Sequence, residues 1–142
     1  MKIIRRLLLA LGLLLAFLMG VAFIAGQTWP AIHDVKTGET AEYPNVQPQS
    51  FAHPAYRVYD AALATAQSLG WEIIGEDRNA GEIQAVATVP IVHFKDDVTI
   101  TVKPDGTHTA VNVRSRSRVG KGDLGVNARR ILRFQEELAK RL

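Results

Sequence analysis

The chain has 142 residues, a single-domain length, with no cysteine and 17 basic against 14 acidic side chains, a net charge of +3. The missing cysteine excludes disulfides, thiolate zinc sites, a thiol nucleophile and a lipidated amino-terminal cysteine. Nor does the charge mark a nucleic-acid-binding protein: Lys2, Arg5 and Arg6 supply the whole excess, and from residue 27 onward 14 basic residues balance 14 acidic ones. Charge is nevertheless uneven within that remainder, with nine Lys/Arg against three Asp/Glu from residue 114 to residue 142.

Residues 1–6 form a short basic segment. Residues 7–26, LLLALGLLLAFLMGVAFIAG, then carry no charge. Twenty helical residues span about 30 Å, the thickness of a hydrocarbon core. The basic cluster precedes this run and no basic residue follows until Lys36, so the positive-inside rule places the amino terminus in the cytoplasm and the rest outside. A single-pass protein of the inner membrane is expected, with its carboxy-terminal domain in the periplasm and Trp29 at the interface. The rival is a cleaved signal peptide. It fits less well, because the run exceeds the usual apolar length and Phe23-Ile24-Ala25 puts a bulky side chain where cleavage needs a small one. Both readings export the domain.

Residues 27–54 carry Pro30, Pro44, Pro48 and Pro54 without periodicity and read as a spacer, with Tyr43, Val46 and Phe51 as the residues able to pack. The exported domain is expected over 55–142. Residues 55–69 place Tyr59, Leu63 and Ala66 on one helical face, and Gly70 ends that helix. Trp71–Glu76 and Glu82–Val89 read as strands joined by a hairpin loop over 77–81, with Ile83, Ala85, Ala87 and Val89 facing inward.

Two further strands can be registered against each other. Val98, Ile100 and Val102 alternate with polar residues, as do Val111 and Val113, and Asp105-Gly106 marks the turn. Pairing positions whose numbers sum to 211 sets Ile100 against Val111 and Val98 against Val113. A three-residue loop would set valines against threonines. The same sum puts Asp97 opposite Arg114 and Lys95 opposite Arg116 on the outer face. The last element, Asp123–Leu142, is an amphipathic helix with Leu124, Ala128, Ile131, Leu132, Gln135 and Leu138 inside, Phe134 at the edge, and Arg129, Arg130 and Arg133 outside. The fold class is therefore α+β: a transmembrane helix, then helix, four-stranded antiparallel meander and helix, with both helices on one sheet face.

Chemistry concentrates in the run from Arg114 to Arg130. Arg114, Arg116 and Arg118 alternate on one strand face, Gly120 and Gly122 turn the chain, and Asp123 is placed to cap the last helix. Lys95, Arg114, Arg116, Arg118 and Lys121, with Asn127 one turn into the helix, are the candidate anion-binding residues. Asp96, Asp97 and Asp123 are the candidate structural network that would neutralise them. Asp96 and Asp97 point to opposite faces of a strand, so they make a poor acid–base pair; Asp97 is expected to pair with Arg114 and Asp96 to face inward near Ser115. Ser115, Ser117 and His93 have no elbow or oxyanion turn around them. His33, His53, His93 and His108 are too scattered for a metal site, and no cofactor is expected.

The strings SRSRVGKGDLGVNARRI, HFKDDVTITVKPDG and LGWEIIGEDRNAGEIQA closely resemble the bacterial domain of unknown function 1499 family. The resemblance covers roughly Tyr43 to Leu138. It implies a cell-envelope protein, often membrane-anchored, and brings no activity, cofactor or catalytic residue to carry over. Many members carry a Cys-Pro…Pro-Asn-Cys segment ahead of the domain, which is missing here, and aromatic residues where this chain has Pro90-Ile91-Val92-His93.

Three functions follow as expectations. The first is a non-catalytic envelope module that binds a partner protein, an anionic small molecule or a lipid headgroup around Arg116, with the membrane held through residues 7–26 and no nucleic acid involved. The second is a hydrolase using Asp96, Asp123 or Ser115. The third is a purely structural domain.

Overall fold

The computed structural model describes residues 2–28 and 30–142, and the side chains of residues 3–24 and 30–142. Trp29, expected as an interfacial aromatic, lies outside the described residues. The chain runs α1 (Lys2–Thr28), β1 (Asp34–Lys36), β2 (Gln49–Phe51), α2 (Ala55–Ser68), β3 (Glu72–Asp77), β4 (Glu82–Thr88), β5 (Lys95–Asp105), β6 (His108–Ser117) and α3 (Val126–Ala139). It is a mixed α+β protein with three helices and a six-stranded antiparallel sheet. Within α1, Ile3–Ile24 has a mean hydropathy of 2.8, long and apolar enough to cross a membrane or to serve as a signal sequence.

The sheet order is β1-β6-β5-β4-β3, and β2 also pairs with β6. The expected four-stranded meander is thus corrected to six strands. The two extra strands come from the stretch read as a spacer. They lie end to end along the same edge of β6: β1 covers Arg114–Arg116 and β2 covers Thr109–Val111. Three-residue strands carry no readable alternation, which is why they escape a periodicity argument. Their anchors are Val35 and Val46, both buried in the core.

Both α2 and α3 cover one face of the sheet. Inward-facing Ile83, Val98, Ile100, Val102, Val111 and Val113 meet Val58, Ala62 and Ala66 of α2 and Ile131, Phe134 and Leu138 of α3. Trp71 stacks on Phe134 at 5.5 Å between ring centroids. Phe134 is therefore central to the core rather than at its edge. Helix α3 begins at Val126, three residues later than expected. Leu124 adopts φ +52° ahead of it and stays exposed. The inner stripe is rotated accordingly, toward Asn127 and Phe134 and away from Leu132. Val89, expected to face inward, falls past the end of β4 and is only half-buried.

The β5–β6 register is shifted by two residues from the expected one. Pairs sum to 213: Asp105 meets His108, Val102 meets Val111, Ile100 meets Val113 and Asp97 meets Arg116. A two-residue shift leaves every side chain on its own face, so both registers set apolar against apolar, and the hydrophobic pattern cannot separate them. The turn decides. Gly106 has φ +59° and Thr107 is not in the left-handed region, the arrangement of a type II′ loop with glycine first. Glycine also fixes the β3–β4 hairpin, where a Cβ on Gly81 would sit 2.0 Å from the Val102 carbonyl oxygen. Strand β3 is irregular, with a register shift between Ile73 and Gly75.

Candidate functional site

The inward positions of β5 and β6 are mostly apolar; Thr109 at one end bonds the His53 carbonyl, and a larger polar group gathers where the strands pass under the start of α3. There Asp96 and Ser115 face inward, both buried, and helix α3 meets them with Asn127 and Arg130. The Arg130 guanidinium lies 2.6 Å from Asp96, with side-chain exposures of 10% and 2%. The approached carboxylate oxygen makes no aligned hydrogen bond, so charge holds this pair. Arg130 also donates to the Asn127 side-chain carbonyl at 2.7 Å and to the Ser115 hydroxyl at 2.9 Å. Ser115 donates to Asn127 at 2.6 Å, and the Asn127 amide donates to the Ser117 hydroxyl at 2.8 Å and to the His33 carbonyl at 3.2 Å. Asp123 closes the network from the loop, accepting from the backbone N–H groups of Gly125 and Asn127. In effect Asp123 caps the helix start.

The outer face carries the arginine ladder. Arg114 grips Asp34 of β1 with two hydrogen bonds, and Arg118 grips Asp97. The expected Asp97–Arg114 pair is thereby corrected, because the shifted register carries Arg114 past Asp97 and β1 brings Asp34 to it. The Lys95–Arg116 opposition is removed for the same reason: the Arg118 N–H bonds the Lys95 carbonyl instead, and the Lys95 ammonium lies 3.8 Å from Glu72. The hydrogen bonds from Arg114 hold the Asp34 carboxyl below its ordinary value, against a burial effect that raises it. Hydrogen bonding to Asp34 and to Asp97 pushes Arg114 and Arg118 up.

The six expected anion-binding residues therefore do not converge. Asn127 lies under the sheet with all its polar atoms engaged, whereas Arg114, Arg116 and Arg118 lie above it. Arg116 and Lys121 have no carboxylate within ion-pair distance among the described residues, although Arg116 contributes to the low pKa of Asp34. Ser115, Asp96 and Asp123, the residues a hydrolase would use, are each committed to the network that pins α3. Among the described residues no cluster of three His, Cys, Asp or Glu could hold a metal ion.

A basic cleft opens elsewhere. Between the end of α2, the end of β4 and the outer side of α3 lies a depression of about 410 Å³ whose lining includes Gly70, Trp71, Arg129, Arg130 and Arg133. Arg129 and Arg133 are exposed, and Arg130 reaches it from the buried pair.

A family model described as "Protein of unknown function (DUF1499)" matches residues 27–138. The chain belongs to this family. The match begins well before residue 55 and includes the segment that supplies β1 and β2. No curated protein matches the chain. Among solved structures, that of TTHA0849 from Thermus thermophilus is similar at 12% identity and a TM-score of 0.39, covering 76% of this chain and 95% of that one.

In this DUF1499 domain Arg130, expected on the outside of the last helix, is instead drawn in to Asp96. Two features pointed to it. Asp96 occupies an inward position of β5, which demands a buried cation or donor, and Arg130 stands one turn after Asn127 on the helix facing it. Asp34 and Trp71 carried no comparable pattern, since their roles depend on β1 and on the stacking against Phe134.

Proposed function

We propose that this chain is a non-catalytic module of the cell envelope that holds an anionic ligand in the cleft beside Trp71, carried on a single-pass anchor with its amino terminus in the cytoplasm and its domain in the periplasm. One observation carries the ligand reading: the exposed Arg129 and Arg133 line a common cleft with an aromatic wall, while Arg130, which also borders it, is already paired with Asp96. Arginine's planar fork suits bidentate contact with carboxylate or phosphate. A spacing of four residues brings Arg129 and Arg133 onto adjoining turns of one helix. The Arg116 ladder is the weaker choice, because Asp34, Asp97 and Glu72 already offset the charge on its neighbours. The placement in the membrane rests on the apolar run and on the basic residues that precede it.

The test is thermal melting of the detergent-solubilised chain with inorganic phosphate, pyrophosphate or citrate. A site filled to about 100 times its dissociation constant adds roughly 2.7 kcal/mol. For a domain of this size that raises the midpoint by about 10 °C. The rise is expected in the wild type and in Arg116→Ala, and lost in Arg133→Ala. Loss in Arg116→Ala alone would move the site to the outer strand. No rise with any of these anions would overturn the ligand reading in favour of a protein partner.

A further inference from the structure

The end of the sheet where β5 starts and β6 finishes carries an unusual surface. Loop 89–94 is closed on itself by backbone bonds from Val89 to Phe94 and from His93 to Val89, and it projects Ile91, which is 93% exposed. Val92, Phe94, Val119 and Leu124 are each more than half exposed around it. Val92 and Phe94 from this loop and Val119 and Leu124 from the loop before α3 line one shared apolar groove of about 300 Å³. The described non-glycine residues with positive φ are Ile91, His93 and Leu124, all in these two loops. A β-branched residue in that region is strained, and such strain persists where the surrounding structure enforces it.

The same end receives the chain from α1. The Ser117 N–H bonds the His33 carbonyl, the Asp123 N–H bonds the Ile32 carbonyl, and Ala31 lies against Gly122. Four Cα steps separate Thr28 from Ile32, a reach of at most about 14 Å. The opposite end of the β5–β6 ladder, at Gly106-Thr107, is nine residue pairs away, roughly 30 Å. Lys121 is the cation of the apolar end with no ion-pair partner among the described residues. The Asp97 carboxylate is paired with Arg118, and that of Asp123 is turned to the backbone amides of Gly125 and Asn127.

We propose that loops 89–94 and 119–124 seat on the bilayer that α1 spans, with Ile91, Val92, Phe94, Val119 and Leu124 entering the headgroup–acyl boundary and Lys121 facing anionic headgroups. An exposed apolar cluster beside a cation is the composition of an interfacial contact. Tethering within one short segment of the membrane makes the encounter intramolecular. This inference rests on the anchor reading and assigns the domain a fixed end-on attitude.

The chain has no cysteine, so a single introduced one labels a single place. Full-length Ile91→Cys, Val119→Cys, Thr107→Cys and Leu14→Cys variants would carry an environment-sensitive fluorophore in phosphatidylcholine–phosphatidylglycerol vesicles. Blue-shifted emission and quenching by lipid-borne doxyl groups are expected at Leu14, Ile91 and Val119, and at Thr107 neither. Emission at Ile91 and Val119 matching that at Thr107, with Leu14 still in lipid, would overturn the seating while sparing the anchor. Water-exposed emission at Leu14 would overturn both.

Discussion

Adjacent on β5, Asp96 and Asp97 each meet an arginine, Asp96 under the sheet with Arg130 and Asp97 above it with Arg118. Under the sheet the pair is largely buried, with Arg130 only grazing the cleft, and its neighbours Ser115, Asn127 and Ser117 satisfy one another. Above the sheet both partners are nearly half exposed. The Coulomb attraction of the first is strong and its desolvation penalty heavy; the second has little of either. The difference lies in what happens when one partner is removed. An exposed carboxylate left alone is simply hydrated, whereas a buried one is stranded.

The largest effect should come from stranding it. Arg130→Ala is expected to destabilise the domain by about 3–5 kcal/mol, because Asp96 keeps its burial and loses its cation. Urea unfolding of the detergent-solubilised chain, followed by tryptophan fluorescence, measures this. A double variant, Asp96→Leu with Arg130→Met, should recover much of the loss, and its failure to do so would mean that the arginine acts through packing alone.

Next in size is Asn127→Ala, which leaves the buried Ser115 hydroxyl without its acceptor and the His33 carbonyl with only the Ser117 N–H. A loss of about 1–3 kcal/mol is expected by the same unfolding measurement. A loss under about 0.5 kcal/mol, the low end for a net hydrogen bond, would show that the serines re-pair without it.

The outer face should yield the smallest change and one that depends on conditions. Arg114 hydrogen bonds hold the Asp34 carboxyl below its ordinary value of 3.8, so the stability it lends is complete above that value and fades as the pH falls through the native pKa. Both partners touch solvent, so about 0.5 kcal/mol remains after screening. Asp34→Asn should flatten this part of the acid dependence, and about 1 M salt should shrink the gap between variant and wild type. A gap that ignores salt would place Asp34 with the buried pair instead.

Much of the fold was legible because its strands are long enough to alternate. Parity alone assigned Val98, Ile100, Val102, Val111 and Val113 to the core, set Asp96 inward near Ser115, and put the three arginines outward. What was not legible depended on features with no period. Register by two residues leaves parity untouched, so the partners of Asp97 and Arg114 were decided by the backbone of Gly106. Strands β1 and β2 are three residues each, and their place on β6 is a tertiary matter. The cleft beside Trp71 brings together residues from the α2–β3 connection, the end of β4 and α3, and no linear pattern encodes that convergence.

The break in β3 has a bearing on crowding. β3 is the edge of the sheet that no other strand covers, and a free edge is a template for pairing with another copy. Here the edge is bent between Ile73 and Gly75 and carries Glu72, Glu76 and Asp77. The other edge presents only two three-residue strands with a long excursion between them. Bent and acidic on one side, interrupted on the other, the sheet gives its neighbours no continuous ladder to extend, so many copies can stand close together without growing into one another.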